Sequence, residues 1–208
     1  MPTPSQEIKR QLYYYPAELI DVVHLAEGQR VIIRPVLNHD QDLMVAFFHD
    51  LSPDARYSRF LHPVNELSSE LLRQFTQVDH VNHVALVAET FADGRETIIG
   101  EARYVRDADA SSAEFAVSVA EPWQRKGLAK LMLTKLECRA AAAGVRQIFA
   151  ETLVTNKKML SLARKLGYVV SESLGAPGVM RLEKELAMRD CNLMVSPRLL
   201  RREAILVS

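Results

Sequence analysis

The stretch Val117-Ser118-Val119-Ala120-Glu121-Pro122-Trp123-Gln124-Arg125-Lys126-Gly127-Leu128-Ala129 decides how this chain is read. Val117 to Val119 close a short apolar strand, a brief turn follows through Pro122, and the residues from Gln124 predict the opening of a helix. A helix N-terminus presents unpaired backbone N–H groups and the positive end of its dipole, which suits a pyrophosphate. Arg125 and Lys126 add positive charge there, and Gly127 has no Cβ to keep a phosphate from the backbone. Gln124 to Ala129 are therefore a candidate anion cradle.

Strands and helices extend from this stretch in both directions. The β-branched run at residues 30–36 predicts a first strand, and Asn38-His39-Asp40 offer a cap for a helix with Leu43, Phe47 and Leu51 on one face. Ser52-Pro53 and Ser68-Ser69-Glu70 open two shorter helices. Strands follow at 83–90, 97–106 and 113–119, the first two joined by the turn Ala92-Asp93-Gly94-Arg95 and the last entered through Asp107 to Ser112. The long helix is expected from near Arg125 to Gly144, with Leu128, Leu131, Met132, Leu136 and Ala140 at helical spacing. A strand at 146–152, a helix from Asn156 to Leu166, and strands at 167–173 and 179–186 complete the pattern. The order implies an α/β chain with a mixed, mostly antiparallel central sheet and helices on both faces. Residues 25–187 read as the domain, with 1–24 and 188–208 as N- and C-terminal extensions packing on the domain or on a partner.

Composition excludes several functions. At 208 residues the chain has room for one domain with a sizeable core. Lys plus Arg and Asp plus Glu both number 26, and zero net charge argues against a general nucleic-acid partner. No apolar run approaches the ~20 residues of a membrane span, and the N-terminus lacks a signal pattern. The six histidines show no metal-ligand spacing, and Cys138 and Cys191 give no disulfide framework. A cytoplasmic protein with reduced thiols, no metal and no membrane partner is expected; homo-oligomer formation is left open.

With Tyr15-Pro16-Ala17-Glu18-Leu19, Ile33-Arg34-Pro35, Leu51-Ser52-Pro53, Tyr57-Ser58-Arg59-Phe60, Leu71 to Asp79, Ala113-Glu114-Phe115-Ala116-Val117, the Q-x-x-G-x-A loop and Asn156 to Tyr168, the chain resembles the GNAT acetyltransferase superfamily. Within it, residues 16–170 are most similar to the acetyltransferase domain of bacterial protein lysine acetyltransferases. The resemblance implies the GNAT fold, acetyl-CoA as cosubstrate, and transfer to the ε-amine of protein lysines, acyl-CoA synthetases among them. It implies a strand that splays from its neighbour, so that backbone groups of Val117 and Val119 bind the pantetheine arm and polarise the thioester carbonyl. It places the pyrophosphate on Gln124, Arg125, Lys126, Gly127, Leu128 and Ala129, and sets Asn156 against the pantetheine region, where Asn is also a good helix N-cap. Larger relatives of this type often carry regulatory modules, and regulation through such a module is not expected of these 208 residues.

Glu114 is the candidate general base. A lysine ε-amine has an ordinary pKa near ~10.4 and must lose a proton before it attacks a thioester. A carboxylate takes that proton directly or through water, and apolar neighbours would ready it by desolvation. Strand alternation sets Glu114, Ala116 and Ser118 on one face and Phe115, Val117 and Val119 on the other. Many GNAT proteins carry a tyrosine seven residues after the asparagine; here Ala163 stands there, and Tyr168 is expected in the core. Two other readings remain: acetylation of a small amine such as a polyamine or antibiotic, and a non-catalytic acyl-CoA sensor.

Overall fold

Among the described residues only one pair of neighbouring strands runs parallel, and that pair organises the fold. Among the described residues the strands are β1 (Asp21–His24), β2 (Arg30–Pro35), β3 (His83–Ala92), β4 (Arg95–Val105), β5 (Ser112–Val119), β6 (Gln147–Leu153), β7 (Val169–Glu172) and β8 (Val179–Glu185). They form one sheet in the order β1-β2-β3-β4-β5-β6-β8-β7. Every pairing is antiparallel except β5 with β6. The helices are α1 (Gln41–Asp50), α2 (Pro53–Phe60), α3 (Ser69–Thr76), α4 (Leu128–Ala142) and α5 (Lys157–Lys165). Parallel strands need a crossover, and α4 supplies it between β5 and β6. The computed structural model describes residues 15–25, 28–92, 94–106 and 111–187. The extension 188–208 with Cys191, residues 1–14 and most of the Asp107–Ser112 turn lie outside the described residues.

Each face of the sheet carries its own core. On one, Leu128, Met132, Leu133, Leu136 and Ala140 of α4 and Leu160 and Ala163 of α5 pack on Ile33, Leu86, Ala102, Tyr104, Phe115 and Ile148. On the other, Met44 and Phe47 of α1, Leu51 just past its end and Phe75 of α3 pack on Ala85, Val87 and Ile98. Gly100 lets α4 seat closely, since a Cβ there would lie 3.2 Å from Met132 Sδ and 3.4 Å from the Ser118 carbonyl. Ser52 and Ser68 cap α2 and α3, accepting from the amides of Ala55 and Leu71 at 3.2 and 3.1 Å.

Two local expectations differ. Asp21–His24 lie in the stretch read as an extension, yet they pair with β2 as an edge strand; four residues are too few to show a period. Asp40 stands at the N-cap of α1 without capping it. Its fully buried carboxylate instead takes two bonds from the Arg34 guanidinium, at 2.7 and 2.9 Å, and one from the Leu37 amide. Arg34 also donates to Glu89 at 2.6 Å, so β2, β3 and the start of α1 share one guanidinium.

A buried charged cluster lies between the sheet and α3. Arg103 pairs with Glu101, donates to the carbonyls of Gln74 and Phe75 at 3.2 Å each, and lies 3.8 Å above the Phe75 ring. It also meets His83 Nε2 at 3.1 Å, a contact that needs a neutral imidazole. Burial, and then the Arg103 charge, hold the His83 pKa down to about 4. The unfolded chain titrates this imidazole near ~6.5, so between those values it binds a proton that the folded chain does not. The stability due to neutral His83 is complete above that range and is lost as pH falls toward 4. His83→Gln keeps an acceptor for Arg103 and is expected to flatten the loss of stability between pH 6.5 and 4 in denaturant titrations. An unchanged slope would contradict this.

Candidate active site

β5 and β6 pair over only three residues, from Ser112↔Gln147 to Glu114↔Phe149. Beyond Glu114, β5 stays on β4 as far as Val119↔Gly100, while β6 continues along β8 to Leu153. The two strands therefore part into a V with Glu114 at its apex. The direction of the exposed amides follows from one bond: the Ala120 amide donates to the Ile99 carbonyl on the β4 side, at 2.9 Å. Main-chain groups alternate between the two edges of a strand, so the amides of Val117 and Val119 point into the V. This is the splay that the sequence resemblance implies.

The V widens toward the loop that leads into α4. Glu121–Trp123 form a 3₁₀ turn, and Arg125 and Gly127 then take left-handed conformations, with φ +61° and +86°. A right-handed helix does not pass through such residues, so α4 starts at Leu128 and not near Arg125. Its first α-helical bond is Leu131 N–H to the Gly127 carbonyl at 3.1 Å, and no side chain caps the end. The amides of Leu128, Ala129 and Lys130 thus face out of the helix end beside the mouth of the V. A Cβ at Gly127 would meet nothing within 4 Å, so the approach to those amides is open.

Several side chains around the loop have partners within the fold. Lys126 reaches away to Gln29 Oε1 at 3.1 Å and lies 5.5 Å from the centre of the Trp123 ring. Gln124 donates through Nε2 to the Val119 carbonyl at 2.9 Å and accepts through Oε1 from Lys158 Nζ at 2.7 Å. The Ser52 hydroxyl donates to Glu121 at 2.6 Å, tying the start of α2 to the end of β5. Burial pushes the Glu121 carboxyl up, but the Ser52 bonds, its own amide and the Lys158 charge together hold the group below its ordinary range.

Glu114 shares a face of β5 with Ala116 and Ser118, as alternation requires, while Phe115, Val117 and Val119 face the α4 core. The burial expected for its carboxylate is not observed: α2 packs on β5 and β6, yet Glu114 is exposed. Beside it on the same face stand Phe149 and Glu151 of β6, then Arg181 and Glu183 of β8. Arg181 lies 4.1 Å above the Phe149 ring and donates to Glu183 at 2.8 Å. On the inner side, Glu101 is fully buried between Arg103 and Arg59, with Arg59 Nη2 3.7 Å away. Burial lowers the Arg59 pKa, with Glu101 opposing. The sequence reading assigned no role to Glu101 or Arg103, although opposite charges two apart in an apolar strand mark a buried pair on one face.

Asn156 spends its side chain within the fold. It caps α5 by accepting from the Met159 amide at 3.1 Å and donates to the buried Thr152 hydroxyl at 3.1 Å. Ala163 is fully buried, and Tyr168 packs in the core, donating to Glu137 at 2.7 Å. Burial, and then the Glu137 carboxylate, push the Tyr168 phenol well above its ordinary range. Among the described residues no three His, Cys, Asp or Glu side chains gather to hold a metal ion, and no helix is long and apolar enough to cross a membrane.

Residues 44–168 match the model of the acetyltransferase (GNAT) family. An acetyltransferase of Pseudomonas aeruginosa is 32% identical over 148 residues, which are 71% of this chain and 80% of that protein. The acetyltransferase Pat of Mycolicibacterium smegmatis is 30% identical over 155 residues, 74% of this chain but 46% of the longer relative. Among solved structures, the GNAT domain of S. lividans PAT superposes with a TM-score of 0.76 at 31% identity, over 83% of this chain and 100% of that one.

Proposed function

The chain belongs to the GNAT acetyltransferase family, and we propose that it carries an acetyl group from acetyl-CoA to the ε-amine of a lysine on a protein. The parted edge of β5 carries the reading: its amides at Val117 and Val119 lead along the V to the free amides at the start of α4. That series fits the cosubstrate. The amide-bearing pantetheine arm would pair with the strand edge and with the region of Asn156. Gln124 to Ala129 would hold the pyrophosphate, with dipole and loop charge supplying the attraction.

Bound there, acetyl-CoA would supply the acyl group as a thioester whose thiolate is a tolerable leaving group. The β5 amides polarise the acyl carbonyl. Glu114, at the apex where the V closes, accepts the proton that the attacking amine gives up. The exposed position of Glu114 supports a protein acceptor, because a lysine side chain can reach it from a bulky molecule. The likeness to the acetyltransferase Pat supports the same class. The carboxylates of Glu151 and Glu183 on the same face favour a second reading, a small polycationic amine. Turnover on an acyl-CoA synthetase, set against polyamines and aminoglycosides, separates them. Higher kcat/KM on the protein is expected; higher kcat/KM on a small amine would overturn the lysine reading alone.

Two substitutions test the assigned groups. Asn and Asp both tolerate a left-handed backbone, so Gly127→Asn and Gly127→Asp differ chiefly in charge. Coenzyme A is expected to bind Gly127→Asp about tenfold more weakly than Gly127→Asn by calorimetry; equal affinity would place the pyrophosphate elsewhere. Glu114→Gln is expected to leave coenzyme A affinity in place while lowering acetyl transfer by ~10²–10⁴-fold near neutral pH. The defect should shrink at high pH, where the amine is deprotonated unaided. Parental turnover across neutral pH would remove Glu114 from the mechanism.

A further inference from the structure

Lys158 stands in the first turn of α5, beyond the end of β6, and its side chain is exposed. An exposed lysine normally samples many rotamers, and fixing one costs side-chain entropy. Here the ammonium is directed to Gln124 Oε1 at 2.7 Å, and the same Gln124 amide is fixed through Nε2 to the Val119 carbonyl at 2.9 Å. The chain Lys158–Gln124–Val119 therefore crosses the mouth of the V, from the helix that follows β6 to the end of β5. Lys126, one of the two basic side chains expected at this mouth from sequence, is directed instead to Gln29 and Trp123. Lys158 brings a positive charge to the mouth of the V from the β6 side, and Gln124 takes one of its three donors.

We propose that Lys158 is a phosphate-binding residue of the coenzyme A site, its ammonium aimed across the mouth of the V by Gln124. The inference rests on the acetyl-CoA reading of the cleft. A phosphate oxygen is a stronger partner for an ammonium than a neutral amide, because the bond is charge-assisted. The pyrophosphate and the 3′-phosphate of coenzyme A offer the same chemistry, and ligand truncation tells them apart.

Calorimetry with coenzyme A, 3′-dephospho-coenzyme A and pantetheine on the parent, Lys158→Met and Lys158→Arg tests the assignment without catalysis. Lys158→Met is expected to weaken coenzyme A about tenfold, with Lys158→Arg keeping most of the affinity and pantetheine unaffected. A tenfold loss that persists with 3′-dephospho-coenzyme A assigns Lys158 to the pyrophosphate; a loss confined to the full cofactor assigns it to the 3′-phosphate. Parental affinity of Lys158→Met for coenzyme A, or an equal loss for pantetheine, would overturn the proposal. A parent that binds no coenzyme A would instead overturn the cofactor reading on which it rests.

Discussion

A parallel strand pair that stops pairing after three residues leaves a row of main-chain donors and acceptors with no strand to satisfy them. That constraint underlies this molecule. β5 cannot turn back to β6, because β4 holds it as far as Val119 while β8 draws β6 away to Leu153. Unpaired backbone groups in a fold's interior are costly unless a partner meets them. The structure answers part of the demand itself, through the Gln124 side chain on the Val119 carbonyl. An extended amide chain seated in the V would answer the rest, much as an added strand completes a sheet edge.

The two faces of the sheet divide the work around that edge. α4 packs on one face over Met132 and Leu136, with Gly100 giving it room, and this seating aims its bare N-terminus at the mouth of the V. The other face is ordered by charge: Arg34 binds Asp40 and Glu89, while Arg103 joins Glu101 to the end of α3. Breaking such a buried pair leaves an uncompensated charge, a cost of about 3–5 kcal/mol. α1–α3 are thereby fixed over the sheet, yet Glu114 remains open to solvent at the margin of their cover. A cosubstrate arriving along the strand edge and an acceptor arriving on the open face would meet at the apex without competing for one entrance.

Much of this was legible in the residues. Ser52 and Ser68 mark helix starts through their own hydroxyls, and the periodicity of α4 and of the strands is local. That a helix follows a glycine turn after the apolar strand was legible from Gln124 to Ala129, but its start at Leu128 was not, because the left-handed Arg125 leaves no mark in a helical pattern. The register at which β5 leaves β6 was not, since pairing between residues thirty-five apart, Glu114 with Phe149, leaves no local mark. Asp40 looked like a cap because Asp commonly is one, but Arg34 from the preceding strand outcompeted the helix amides. Lys126 and Lys158 show the same limit: sequence places a charge near a loop, and only the fold decides which way it points.

The protein's function turns on whether the β5 edge is the cosubstrate slot. Amide hydrogen exchange, followed residue by residue with and without coenzyme A, reads that edge directly. Val117 and Val119 are expected to become protected on adding coenzyme A, together with Leu128, Ala129 and Lys130, while Ala116 and Ser118, already bonded to β4, change little. Exchange at Val117 and Val119 that is unaltered under saturating coenzyme A would contradict the assignment.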